Sequence, residues 1–400
     1  MVNDPSTNKT LLLLGNGFDL QCNLPTRYSD FFGNRMKTVA YQSAYDWLSH
    51  LKIVEKNTNY CIKTTISDFR DGAPLINAEF TVWDLLFLVI HYIRCSLSSN
   101  PNGEDSDFDN WADVEEQISS SVSSSTSSVV SAERIVISWR YVYRILFDQE
   151  TQIYEEEYVA NGQRTCFENV IADVISAQKP FPFAGERIES FFEYLLSQLR
   201  LFELSFKNYV FDAVKHNQNY DKTAHELCTK LLNSFPYPII ENFNYTSFGV
   251  GPLTMLSVHG SILPQNQIVF GIDDSNVKNT DPAYIFTKIM RELELGVNGN
   301  QILTLGTNVN VAIVYGLSLA KEDYSFFVDL FDRMNLADLQ SKSVLIIDYS
   351  YYPGKEHSQI RKDIQYSLAM LINRYGEERG QRSTLLASLW HSGRLIFQLI

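Results

Sequence analysis

The chain has 400 residues, of which 45% are apolar and 13% aromatic, so it can bury a large core and is not disordered throughout. Its 33 basic and 47 acidic residues give a net charge of −14, and no basic cluster stands out, so neither nucleic acid nor anionic lipid is expected as its main partner. The five scattered cysteines form no Cys-x-x-Cys pair, which argues against a zinc site or a disulfide framework.

No segment has the features of a targeting or membrane-spanning element. The first apolar run is short and follows a polar stretch, which is not the pattern of a signal peptide. The longest later apolar stretch, residues 83–93, contains Asp84 and His91 and falls short of the roughly 20 residues that span a bilayer. The sequence therefore predicts a cytoplasmic protein.

Residues 10–20, TLLLLGNGFDL, predict a buried strand followed by a tight glycine turn. Four leucines without a polar break favour a strand that is buried on both faces. Gly15, Asn16 and Gly17 then let the backbone bring its amides to a phosphate at the start of a helix, with Asp19 facing the ligand. A dinucleotide-binding fingerprint would have a third glycine three residues later, and here it is absent. A plain strand-turn-helix with Asp19 as the N-cap is an equal alternative.

Residues 41–233 are predicted as a large all-helical insertion. Their apolar residues recur at three- and four-residue steps in long stretches such as 80–97 and 186–214. A Ser-rich segment at 119–131 has low complexity and is predicted as a surface loop or a weakly ordered start of a helix.

Three carboxylates lie close together in NWADVEEQ, residues 110–117: Asp113, Glu115 and Glu116. Grouped carboxylates can bind a cation or do acid-base work. They are more often the acidic first turn of a helix, stabilised by the helix dipole.

From residue 237 onward, short apolar runs alternate with helical patterns. This order predicts an α/β fold with a Rossmann-like, mainly parallel sheet that is covered on both faces. The first strand belongs to that sheet, so residues 1–40 and 234–400 form a nucleotide-binding domain around the helical insertion. The predicted strands are YPIIENF, LTMLSVHG, NQIVFG, NVAIVYG and KSVLIIDYS, and the predicted helices cover 283–294, 323–334, 357–374 and 384–391.

Ligands of such a sheet bind outside the carboxyl ends of its strands. His259 lies at one of these ends, is followed by Gly260, and can act as a general base at neutral pH. Asn244 lies at another, where it either faces a ligand or supports a turn. The polar strand ends are GNGFD at 15–19, NYT at 244–246, HG at 259–260, GIDD at 271–274, GLS at 316–318 and DYS at 348–350.

Several of these segments resemble, in order, those of the AbiH family of bacterial phage abortive-infection proteins. The resemblance covers roughly residues 10–40 and 237–333, with one anchor inside the helical insertion. The segments that carry it are LLLLGNGFDLQCNLPTRYSDFF, NWADVE, ENFNYT, VHGS, IVFGIDD and IVYGLSLAKEDYSFF.

The AbiH family is in turn similar to the sirtuin-type NAD-binding fold, and this resemblance implies roles for single residues. Asn244 would orient water or the nicotinamide ribose, and His259 would be the base. Asp348 is assigned to a ribose hydroxyl by its position alone. The residues implied to bind NAD are Gly15, Asn16, Gly17 and Asp19 on the pyrophosphate and nicotinamide-ribose side, Gly316 and Ser318 on the adenosine side, and Asp348.

The sequence departs from these patterns in two ways. Where AbiH members usually have Gly-His-Ser-Leu, this chain has Gly-Leu-Ser-Leu at 316–319, which removes one polar contact. It also lacks the cysteines of the sirtuin zinc module, so protein deacylation is not expected.

The resemblance thus implies an antiviral protein that hydrolyses NAD to nicotinamide and ADP-ribose, with NAD as substrate or ligand and with no metal. One alternative is a sensor that binds NAD or ADP-ribose without turnover, and another is a metal-dependent nucleotide hydrolase that uses the carboxylates of residues 110–117. The partner is expected to be a small nucleotide, with a homo-oligomer or a phage-derived trigger as the regulator.

Overall fold

The structure is a computed structural model that describes residues 9–50, 52–56, 59–63, 72–97, 111–123, 129–130, 135–148, 167–182, 187–232, 235, 238–251, 253–296, 309–350, 356–381 and 384–400. The strands are β1 Lys9–Leu14, β2 Lys52–Lys56, β3 Asn59–Lys63, β4 Val129–Val130, β5 Ile135–Val136, β6 Ile239–Asn242, β7 Thr254–Ser257, β8 Val309–Tyr315, β9 Val344–Tyr349 and β10 Leu395–Leu399.

The α-helices are α1 Asn16–Gln21, α2 Tyr28–Arg35, α3 Val39–Ser49, α4 Val82–Leu97, α5 Trp111–Ser123, α6 Trp139–Phe147, α7 Phe167–Ala177, α8 Ile188–His216, α9 Tyr220–Leu231, α10 Lys288–Leu295, α11 Tyr324–Arg333, α12 His357–Glu378 and α13 Leu385–His391. Short 3-10 helices cover Asp274–Asn276, Pro282–Phe286 and Lys321–Asp323. None of the described helices is long and apolar enough to cross a membrane.

Six strands form one parallel sheet in the order β10-β9-β8-β1-β6-β7. Numbered along the chain, this is the order 3-2-1-4-5-6 of the Rossmann fold, read from the opposite edge. The predicted α/β fold with a parallel, Rossmann-like sheet is therefore confirmed. The strand order reverses direction between β1 and β8, and in open α/β sheets this switch point is where ligands bind.

The leucines of β1 are buried on both faces of the sheet, as their uninterrupted run predicts. Leu11 and Leu13 pack with the apolar faces of α11 and α12. Leu12 and Leu14 point to the other face, where they pack with residues of α1 and α9. All four side chains are at most 1% exposed, so the sheet is a central layer between two sets of helices.

The helices between β1 and β6 have a core of their own, centred on α4 and α8. Trp83 of α4 is fully buried and its indole donates a hydrogen bond to the carbonyl of Leu195 at 2.8 Å. Phe270 and Phe286, from the segment that follows β7, belong to the same core. The helical part therefore packs against the chain just beyond the ends of the sheet strands.

The predicted all-helical insertion also contains two antiparallel hairpins, β2 with β3 and β4 with β5. The β-branched Ile53, Val54 and Ile62 favour the first of these. Residues 119–123, predicted as the start of a Ser-rich loop, instead complete α5, where Val122 is fully buried. The rest of that segment is described only at Val129 and Val130 of β4.

Two further differences concern the sheet. NQIVFG, predicted as a strand, is not a strand of the sheet; in the described part of the chain its β-pairing is an isolated bridge between Ile268 and Gly260. The edge strand β10, which the sequence pattern did not predict, pairs with β9. Its sequence, LIFQL, is mostly apolar, but as an edge strand it leaves four of its five side chains half-buried or exposed.

Candidate functional site

A cavity of about 310 Å³ lies at the carboxyl ends of the strands, across the switch point. We call it the switch-point cavity. Its lining residues follow five neighbouring strands, in order from β9 through β8, β1 and β6 to β7. These strand-end residues are Ser350, Gly316, Gly15, Asn244 and His259.

The two glycine turns of the cavity lock into each other. The amide of Gly15 donates to the carbonyl of Tyr315, and that of Gly17 donates to the carbonyl of Gly316, each at 2.9 Å. A Cβ atom on Gly15 would lie 2.6 Å from the carbonyl oxygen of Gly316. The glycines thus allow two loops to pack at the switch point, and these two amides are not open to a phosphate. The Asn16 side chain accepts a hydrogen bond from Thr26.

Replacing Gly316 by alanine is expected to lower the free energy of unfolding by more than its backbone conformation accounts for. Gly316 has φ +72°, and a Cβ there would lie 2.6 Å from the amide nitrogen of Phe18. Gly393→Ala is a matched control, since Gly393 also has φ +72° but has open space around it. We expect a loss of about 1–2 kcal/mol in the control and about 1–3 kcal/mol more at Gly316, measured by urea unfolding. Equal losses would contradict the packing role.

Asp19 is buried beneath the glycine turn and faces the cavity. Its carboxyl accepts a hydrogen bond from the hydroxyl of Tyr220 at 2.8 Å and lies 2.9 Å from the hydroxyl of Thr246. Burial raises the pKa of Asp19 to about 7, although the two hydroxyls act against this shift. Asp19 therefore titrates near neutral pH, as a group that accepts and releases protons in catalysis often does.

Asn244 is fixed by two hydrogen bonds at the end of β6. Its side-chain nitrogen donates to the carbonyl of Gly15 at 3.0 Å, and its backbone amide donates to the side chain of Asn242 at 3.1 Å. The Asn242 side chain also donates to the carbonyl of Thr246 at 2.7 Å. Within the described ranges, the side-chain oxygen of Asn244 is thus left to accept a hydrogen bond from a ligand.

His259 belongs to a cluster of charged residues at one end of the cavity. Its Nδ1 lies 3.1 Å from Glu292 and its Nε2 lies 3.2 Å from Asp323. The ammonium of Lys288 donates to the same oxygen of Asp323 at 2.6 Å and to Glu115 at 2.9 Å. Two cations and three carboxylates thus form one chain of ion pairs.

The surroundings of His259 favour the protonated imidazolium. Burial and the Lys288 ammonium lower the pKa of His259, but its hydrogen bonds to Asp323 and Glu292 outweigh them, so that the pKa is raised. With a carboxylate at each ring nitrogen, the imidazolium donates two hydrogen bonds. His259 is therefore better suited to position Asp323 than to accept a proton as a general base.

Glu322 is the least satisfied carboxyl of the cavity. It is 4% exposed, and its Oε1 has no hydrogen-bond partner among the described residues. The nearest cation is the exposed Lys321, at 3.9 Å. Burial and the nearby charge of Glu115 raise the pKa of Glu322 to about 7. A buried acceptor without a partner, on a residue that lines a cavity, marks a place where a ligand group can bind.

The structure places most of the predicted site residues in one cavity. Asp348 is an exception, because it lies opposite Gln398 of the neighbouring strand and does not line the cavity, whereas the next two residues do. Glu115 reaches the cavity, but Glu116 is exposed and pairs with Lys321. The predicted residues that line the cavity are Gly15, Asn16, Gly17, Asp19, Asn244, His259, Gly316 and Ser318.

Four residues of the site were missed by the sequence reasoning: Tyr220, Lys288, Glu322 and Asp323. Asp323 was noted only as the start of a predicted helix, where an acidic residue is ordinary. Lys288 lay inside a predicted helix that the structure divides at Thr287. In the part of the chain that the structure describes, no three His, Cys, Asp or Glu side chains are grouped as ligands for a metal ion.

Comparison with known proteins gives one informative match. No curated protein and no solved structure matches the chain. The family model described as "Bacteriophage abortive infection AbiH" matches residues 11–344, which is more than half of the chain and includes the glycine turns, Glu115 and the charged cluster. The chain therefore belongs to the AbiH family of bacteriophage abortive-infection proteins.

Proposed function

We propose that the switch-point cavity binds NAD and hydrolyses the bond between nicotinamide and ribose. The observation that carries this proposal is the meeting of buried carboxyl groups with an ordered asparagine at a Rossmann switch point. One oxygen of these carboxyl groups has no hydrogen-bond partner among the described residues. Membership of an abortive-infection family supports it, because loss of NAD would stop the metabolism of an infected cell.

The width of the cavity suits a dinucleotide. Its lining crosses five neighbouring strands, and four strand spacings amount to about 19 Å. Glu322 and Asp323 lie with His259 toward β7 and suit the cationic nicotinamide end. Toward β9 the lining includes Tyr315, Tyr349, Ile360 and Ile364, which suit the adenine ring.

Carboxylates fit the charge changes of this reaction. When the bond between nicotinamide and ribose breaks, its electron pair neutralises the pyridinium nitrogen, and positive charge moves to the ribose as an oxocarbenium-like state. Preorganised negative groups stabilise that charge where it develops. Asp19 and Glu322, both buried and with pKa values raised to about 7, are the groups that we assign to this role.

Water completes the reaction at the ribose carbon. We assign the proton of the attacking water to the Glu322 carboxylate, from which it passes to solvent, while the Asn244 side-chain oxygen orients the water or a ribose hydroxyl. His259, predicted from the sequence as the base, takes a positioning role instead, because it holds Asp323 through Nε2. The products are nicotinamide, ADP-ribose and one proton.

Nicotinamide release from NAD by the purified chain tests the proposal. Glu322→Gln is expected to lower the rate by about 10²-fold, because the amide accepts no proton. Glu116→Gln is the matched control: it lies on α5, away from the cavity, and is expected to keep the full rate.

The same preparation separates the alternatives. Thermal stabilisation by NAD without nicotinamide release would favour the sensor, and activity that a chelator abolishes would favour the metal-dependent hydrolase. If NAD neither stabilises the folded chain nor reacts, the proposal is wrong.

A further inference from the structure

A second cavity, of about 340 Å³, lies beside the switch-point cavity. We call it the acidic cavity. The two share His259, Lys288, Glu322 and Asp323 as common lining residues. Seven carboxyl groups line the acidic cavity, against three basic side chains. The five of them that do not also line the switch-point cavity are Glu241, Asp273, Asp274, Glu292 and Asp329.

The basic side chains of the acidic cavity are already neutralised by ion pairs. Lys288 and His259 are held by the chain of ion pairs described above. Arg333 pairs with Asp329 at 2.8 Å, and its guanidinium lies 4.0 Å from Glu241. The remaining carboxyl groups therefore give the cavity a negative balance.

Two buried carboxyl oxygens of this cavity have no hydrogen-bond partner among the described residues: Oε2 of Glu241 and Oε1 of Glu322. Glu241 is 3% exposed and lies in the middle of β6, away from bulk water. Leaving such acceptors unpaired in a protein interior is costly. Arg333 adds one unpartnered donor, its Nε.

Apolar side chains form the rest of the wall. They are Leu256 and Val258 from the end of β7, Ile289 of α10 and Phe326 of α11. A ligand that fits this lining combines an apolar or aromatic body with a positively charged group that donates hydrogen bonds. An ammonium or pyridinium can also lie against the Phe326 ring in a cation–π contact.

We propose that the acidic cavity is a binding site for an organic cation. Its charged group would meet Glu241, and its body would fill the apolar part of the wall. Because Glu322 lines both cavities, the charge of a bound cation would also act on the switch-point cavity. The binding proposal rests on the second cavity alone and stands whether or not the chain hydrolyses NAD.

Calorimetric titration with benzylammonium, benzyl alcohol and benzoate tests the proposal, since the three share one ring and differ in charge. We expect benzylammonium to bind at least tenfold more tightly than benzyl alcohol, and benzoate not to bind. Equal affinity for the alcohol would show an apolar pocket without charge selection, and tighter binding of benzoate would show a site governed by Arg333. Either result, or no binding of benzylammonium, overturns the proposal.

The Glu241→Gln variant tests whether the cation binds in the acidic cavity. This variant keeps the shape of the side chain and should lose the preference for benzylammonium, whereas Glu226→Gln, on the exposed surface of α9, should keep it. If Glu241→Gln keeps the full preference, the site is not the acidic cavity. The wild-type comparison of the three probes stands even if the variant does not fold.

Two kinds of molecule can supply the cation, and the same titration distinguishes them. It is either a free amine or the pyridinium ring of a dinucleotide that reaches across the shared residues. Repeating the benzylammonium titration in the Asn244→Ala variant, with NAD at a concentration that stabilises this variant against heat, decides between them. Displacement by NAD indicates the pyridinium ring, and simultaneous binding indicates a free amine.

Discussion

Lys288→Met is expected to lower the free energy of unfolding by about 3–5 kcal/mol, because it leaves the buried Glu115 carboxylate without its cation and leaves Asp323 paired with His259 alone. The Lys288 ammonium lies 2.9 Å from Glu115 and 2.6 Å from Asp323. Burial lowers the pKa of Lys288, but the two carboxylates more than compensate, so it is raised overall and the side chain stays charged. Methionine fills a similar volume, and the loss therefore reports charge rather than packing. Urea unfolding of both proteins measures it.

A surface lysine gives the matched control. Lys321 pairs with Glu116 at 2.7 Å, but both side chains are at least half exposed. Lys321→Met should therefore cost at most about 1 kcal/mol. Adding Glu115→Gln to Lys288→Met should restore part of the loss, since it removes the carboxylate that Lys288→Met leaves unpaired. If the two lysine variants lose equal stability, the cluster has no special role.

Asp19→Asn is expected to remove a pH-dependent loss of stability of about 4 kcal/mol between pH 4 and pH 8. The pKa of Asp19 is raised by burial from 3.8 to about 7 in the folded chain. The folded state thus keeps its proton where the unfolded state has lost it. The contribution of Asp19 to stability is complete below about pH 4, falls as the pH rises to about 7, and is constant above that.

The comparison of wild type with variant isolates Asp19, because other buried carboxyl groups titrate in both proteins. Stability is measured by urea unfolding from pH 4 to pH 8, and the gap in favour of Asp19→Asn should widen with pH. Asp212→Asn, at an exposed position on α8, should follow the wild type throughout. A constant gap would mean that Asp19 is not held near neutrality by burial. If Asp19→Asn is more stable than the wild type but no longer turns over NAD, Asp19 lowers the stability of the folded chain in return for activity.

The local signals of the sequence predicted the core of the sheet and one wall of the site. An unbroken leucine run has few solutions besides a strand buried on both faces, and β1 is such a strand. The glycines after it were read as a phosphate loop. Their amides are instead paired across the switch point, because the second turn at Gly316 approaches from a distant part of the chain. No local pattern encodes that approach.

The charged cluster shows the same limit more clearly. Glu115 and Lys288 form an ion pair across 173 residues of sequence, and each alone is typical of an ordinary helix surface. The alternation of side chains along a strand explains why Asp348 does not line the cavity. Asp348 lies opposite Gln398 of the neighbouring strand, whereas the next residue, Tyr349, lines the cavity. The positions of the strand ends in the sequence thus correctly predicted the end of the sheet where the cavity lies. Which side chains meet there depends on long-range tertiary contacts, which the sequence pattern does not contain.

NAD turnover in water enriched with ¹⁸O tests the central proposal most directly. Mass spectrometry of the products shows which bond water breaks, and ADP-ribose kept in the same water corrects for exchange. The proposal predicts one ¹⁸O at the anomeric carbon of ADP-ribose, unlabelled nicotinamide, and release of both products about 10²-fold more slowly in Glu322→Gln. Label on a phosphate would contradict it, since water would then have cleaved the pyrophosphate, and the absence of any product from an NAD-binding preparation would contradict it as well.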